Sequence, residues 1–245
     1  MLGRVAWDSR PGRTELGLER LGGMTLARAT VHVPPGLGRF RFRARLRRAR
    51  RFFEQNGVRR IILPESGENS WFSGFGRVDA LPFYRAVADL LALGALETAG
   101  LRPEQASVAL SGPRLCPELR AAAERLYPQV RGLVINVPGE GAAYAAWLHR
   151  RYGLPVCPPE RADVTVAFGP GGVHRGVALD LYEEGRNLAG MTVTAPELAL
   201  PGECEEQLLA ALWEQGGLKR EKLRVKWSAK GVSPLTNGDK ANIIP

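Results

Sequence analysis

Among the residues able to do chemistry, His174 and Arg175 stand together at the end of a glycine-rich run, Gly169-Pro-Gly-Gly-Val-His-Arg175, that follows an apolar segment. Gly169, Gly171 and Gly172 free the backbone, and an imidazole beside a guanidinium could bind or polarise an anionic substrate. The same run also reads as a plain hairpin turn with exposed polar residues. A second loop, Ser111-Gly112-Pro113-Arg114-Leu115, offers a hydroxyl, a glycine and a guanidinium. A third, Pro64 to Asp79, gathers Glu65, Asn69 and Trp71 with Phe72, Phe75 and Arg77. Loops of that length are often functional, and its aromatics could line a small-molecule pocket or plug the end of a sheet. Gly139-Glu140-Gly141 opens a helix and could present amides to an anion, although Glu140 would repel phosphate.

Other chemistries find little support. No G-x-S-x-G, P-loop or triad pattern is present, and no His, Cys and Asp residues share metal-ligand spacing. Cys116, Cys157 and Cys204 are odd in number and far apart, which fits reduced thiols better than a disulfide framework. His32 alternates with valines and His149 shares a helical face with Ala145, Leu148 and Tyr152, so both read as structural histidines.

The elements that must carry these loops follow from periodicity. Residues 1–34 read as β structure, with a strand at Thr25–Val33 that can pair with residues 3–8. Residues 37–56 read two ways. Arg39 to Arg47 alternates as a half-buried strand would, while Phe42, Leu46, Ala49 and Phe53 form an i, i+4, i+7, i+11 stripe. The helix covers more residues, ends at Asn56-Gly57 and is favoured. Beyond it, short apolar strands at 58–63, 107–110, 133–137, 163–168, 176–181 and 223–227 alternate with helices at 81–99, 117–126, 141–152 and 203–215. That alternation predicts an α/β fold with a mostly parallel sheet and helices on both faces, behind an N-terminal β segment. The expected portions are 1–104, 105–230 and a C-terminal tail, 231–245. Ligands of such sheets bind beyond the carboxyl ends of the strands, which is where the loops above should lie.

Val108-Ala-Leu-Ser-Gly112, Leu133-Val-Ile-Asn136 and Ala162-Asp-Val-Thr-Val-Ala-Phe-Gly169 together resemble a Rossmann-type nucleotide-binding unit. The likeness is to the cofactor-binding half of shikimate-dehydrogenase-like and glutamyl-tRNA-reductase-like enzymes, over roughly residues 105–172. It implies a Rossmann-like fold and NAD(P) as cofactor. The fingerprint is degenerate: one glycine, Gly112, remains in a loop where Pro113 and Pro117 remove amide donors, and Asn136 is followed by no ribose-binding acid. The residues themselves name no cofactor.

Charge adds a different kind of site. The chain of 245 residues carries a net charge of +9, unevenly placed. Residues 1–60 hold fifteen arginines against four acids, and all five lysines lie at or after Lys219. Within the Arg-rich segment 39–60, Arg41, Arg45, Arg48 and Arg51 are candidates to track a nucleic-acid backbone, although on a helix these arginines spread over much of the circumference. With no apolar run longer than the seven residues Leu90–Leu96, and no apolar core behind Arg4, a cytoplasmic protein without membrane contact is expected. Three readings remain: a non-catalytic scaffold binding a small molecule or protein partner, a nucleotide-dependent, oxidoreductase-like enzyme, and a nucleic-acid binder through the arginine segment.

Overall fold

A computed structural model describes residues 1–64, 69–153, 162–171, 176–183 and 186–227. It is mixed α/β, its strands mostly parallel, with six α-helices among the described residues. The chain divides into two compact units. The first comprises Met1–Leu90, Cys116–Ala122 and Val193–Val225; Leu91–Leu115 and Ala123–Thr192 form most of the second. The division near residue 104 expected from sequence counts 193–225 with the second portion, whereas its contacts lie with the first.

In the first unit, β1 (Leu2–Asp8), β2 (Glu15–Leu21), β3 (Met24–His32), β4 (Arg60–Ile62) and β5 (Gly76–Arg77) form a sheet of order β2-β3-β1-β4-β5. β1 runs parallel to both β3 and β4, and only the hairpin strand β2 is antiparallel. The pairing of residues 3–8 with the 25–33 strand is therefore present, while β2 and β5 have no counterpart in the sequence reading.

Helix α1 (Arg39–Gln55) settles the ambiguous segment in favour of helix. Its stripe of Leu46, Ala49 and Phe53 is fully buried against Val5, Ala27, Ala29, Val31 and Ile61. Phe53 lies about 6 Å from the rings of Phe52, Phe72 and Phe75. The helix ends at Asn56 as the sequence signalled, because Gly57 takes φ +63°, a conformation costly for residues with a Cβ. Strand alternation sends Arg60 to the side opposite Ile61, where it pairs with Glu214 of α6 (Glu205–Glu214) at 2.6 Å. Gln207 of the same helix bonds both the N–H and the C=O of Leu63. Helices thus pack on both faces of this sheet.

The long helix expected at 81–99 is two helices, α2 (Leu81–Ala86) and α3 (Ala88–Thr98), separated at Val87 with φ −113° and ψ 21°. Asp79 accepts the Leu81 N–H at 2.9 Å and starts the first of them.

The second unit holds β6 (Ser107–Ser111), β7 (Gly132–Asn136), β8 (Val164–Ala167) and β9 (Val177–Asp180), all parallel, in the order β7-β6-β8-β9. Helices α4 (Pro117–Leu126) and α5 (Glu140–Tyr152) occupy the β6–β7 and β7–β8 connections. Leu119, Ala122, Ala123 and Leu126 of α4 are buried as their spacing requires. His149 is the exception on α5, since it is exposed while Ala145 and Leu148 are buried. Strands β8 and β9 pair in parallel, and residues 172–175 between them lie outside the described residues. Strands β10 (Met191–Thr194) and β11 (Arg224–Trp227) form a separate pair.

Phe53 is the hub of the first core. Replacing it with alanine should lower unfolding stability by about 3–5 kcal/mol in urea denaturation; a loss below about 1 kcal/mol would contradict this packing.

Candidate functional site

Three places were open to chemistry, and the structure treats them differently. In the second unit the chain leaves β6, adds β7 on one side, then crosses to β8 on the other, so the β6/β8 strand ends form the switch point where ligands enter such sheets. Ser111, Gly112 and Gly169 come together there. The Phe168 N–H donates to Ser111 O at 2.8 Å, and the Gly112 N–H is spent on Asn136 O at 3.2 Å. A Cβ at Gly169 would sit 2.4 Å from Pro113 Cδ, so the ring of Pro113 closes on the β8 loop. Ser111 Oγ is buried without a hydrogen-bond partner among the described residues. Arg114 and Gly171 are exposed on these loops, while Gly172, His174 and Arg175 lie outside the described residues.

The amides of Glu140 and Gly141 donate to Pro138 O and Val137 O, leaving neither for an anion. Cys116 is half-buried, and burial pushes its thiol pKa up, away from the nucleophilic thiolate. In the loop after β4, Glu65 is outside the described residues and Asn69 opens a 3-10 turn. Trp71 and Phe75 pack against the core around the buried Phe72.

At the carboxyl ends of β1 and β3 lies a polar group that sequence reading did not assemble. On the face opposite α1, Asp8 Oδ2 and Glu15 Oε1 each stand 3.6 Å from a ring nitrogen of His32. His32 is buried, and its Nδ1 lies 3.2 Å from Arg10 O. Further down the same face Arg28 approaches Glu15 at 3.6 Å and Arg4 pairs with Glu19 at 2.9 Å. The signal was the alternation Arg4, Asp8 against Arg28, His32, legible only once the β1–β3 register is known. Arg10 grips Asp8 with its guanidinium and its backbone N–H, and holds the carboxyl down to about 2. Asp8 is therefore a fixed anion, and this strand end would repel phosphate.

The third place is the outward side of α1. Arg47, Arg48 and Arg51 line an open groove of about 500 Å³ whose floor is Leu16 of β2 with Ala44, Phe52 and Gln55 of the helix. All three arginines are exposed, and none has an acidic partner among the described residues. Packing sorts the rest of the cluster. Arg45 is turned inward to the His32 carbonyl, and Arg50 is paired with Glu54 at 2.8 Å. Of the four arginines singled out from sequence, Arg48 and Arg51 line the groove, Arg41 is exposed outside its lining, and Arg45 is committed to the fold. Leu16 and Phe52 were missed, and Arg47 belongs to the same arginine cluster without being one of those four. Arg47 follows from helical spacing with Arg51, but nothing in the sequence shows that β2 reaches α1.

No family model matches the chain, and no curated protein matches it. Among the described residues no helix is long and apolar enough to cross a membrane, and no cluster of His, Cys, Asp and Glu is arranged to hold a metal ion.

The Asp8 contact can be checked directly. Its folded-state pKa lies below the ordinary value near 4, so its stabilising contribution is complete above about pH 4 and is lost as pH falls toward 2. In carboxyl NMR titrations, Arg10→Ala should return the Asp8 midpoint toward about 4. An unchanged midpoint would contradict the assignment.

Proposed function

We propose that the protein is a non-catalytic binder of nucleic acid, built on a Rossmann-like α/β scaffold and holding the phosphate backbone on the outward face of α1. The groove lined by Arg47, Arg48 and Arg51 carries this reading. Guanidinium groups free of internal acids keep their donors available for phosphate oxygens, and binding them releases the counterions condensed on the polymer. The helix has eight arginines between Arg39 and Arg51, and its one acid, Glu54, is paired with Arg50. Phosphate contacts of this kind fix the backbone and do not read sequence.

The strand order β7-β6-β8-β9 supports the Rossmann-like description, and the degenerate glycine loop supports a scaffold without NAD(P). The close packing of Pro113 against Gly169 at the strand ends supports the same reading. A small ligand at the same strand ends is the second reading, favoured by the buried hydroxyl of Ser111, which has no partner among the described residues.

Binding to mixed-sequence oligonucleotides should weaken steeply with salt. The variant R47Q/R48Q/R51Q should flatten the log–log salt slope by about 2–3 in either single or double strands, with thermal stability unchanged. No binding at low salt, or an unaltered slope in the variant, would refute the proposal.

A further inference from the structure

Resting on the reading of α1 as a nucleic-acid face, we infer that its ligand is single-stranded, with one unpaired base stacked on Phe40. Phe40 is 78 % exposed, the most exposed large hydrophobic side chain among the described residues. Phe40, Ala44, Arg47 and Arg51 recur at i, i+4, i+7 and i+11, which places the ring on the same side of the helix as the groove. Phe40 stands about two turns before Arg47, about 10 Å along the axis. A strand whose phosphates lie along Arg47 and Arg51 can therefore set a neighbouring base over the ring.

Two features around Phe40 favour this occupant. The first turn of α1 has no acidic residue and no side-chain cap, so its positive end adds to Arg39 and Arg41 beside the ring. The stripe that an anionic lipid surface would need, Leu46, Ala49 and Phe53, is already buried in the core. One exposed ring among guanidinium groups suits a base better than a bilayer. In a duplex the base faces are covered by their neighbours, so only an unpaired base presents a face to the ring.

Fluorescence anisotropy with a labelled oligodeoxythymidylate, a duplex of equal length, and heparin tests the inference on the intact chain. Phe40→Ala should weaken the single strand about 5- to 100-fold and leave the duplex and heparin within about twofold, while Phe40→Trp should retain wild-type affinity. Because the side chain is exposed, unchanged circular dichroism and melting should accompany the loss. Equal single-strand affinity in Phe40→Ala, or equal losses for single strand and duplex, would overturn the stacking contact while leaving the arginine face intact. Wild-type single-strand binding by R47Q/R48Q/R51Q would instead remove the underlying reading and this inference with it. Phosphatidylserine vesicles retained in a Phe40-dependent way, without single-strand preference, would overturn it in favour of a lipid surface.

Discussion

The burial of Leu46, Ala49 and Phe53 against Val5, Ala29 and Ile61 sets the rotation of α1 about its own axis. Fully burying a leucine or phenylalanine stabilises by about 1.5–3 kcal/mol each, and any other rotation would bring arginines beneath the helix at a far larger desolvation cost. Once that stripe points inward, Arg47, Arg48, Arg51 and Phe40 have nowhere to go but out. The binding face thus follows from how the core is packed, with no separate device needed to create it.

The same sheet separates charge between its two sides. Opposite α1, the alternating residues of β1, β2 and β3 place Arg4 and Arg28 beside Glu19 and Glu15, and His32 beside Asp8, so the guanidinium groups there meet carboxylates. On the α1 side, three guanidinium groups meet no acid among the described residues. An anion therefore finds compensation already made on one side and unmet charge on the other. The Arg45 bond to the His32 carbonyl ties the two, anchoring α1 to the end of β3.

Periodicity made much of the fold legible. The four-residue stripe of α1 outweighed its arginine alternation, since burying it satisfies a helix and no strand could run so long. Pro117 and the Leu119, Ala122, Ala123, Leu126 face gave α4 its bounds. What failed had physical reasons. Leu18 of β2 is exposed, and Arg20 stands where the Leu16, Leu18 alternation calls for an apolar residue, so an edge strand left little trace. The break at Val87 lies between Arg85 and Asp89, in a stretch with no glycine or proline to mark it. At the site, spacing named Arg48 and Arg51 but could not know that Arg45 reaches a carbonyl thirteen positions away, or that Leu16 completes the groove.

The most direct test of the α1 face is to map backbone amide shifts of the labelled protein during titration with a short mixed-sequence oligonucleotide. The largest perturbations should fall along Phe40–Gln55 and at Leu16, fading as salt is raised. Perturbations confined to Ser111–Arg114 and Gly169–Gly171, with α1 silent, would contradict it and move the site to the strand ends of the second unit.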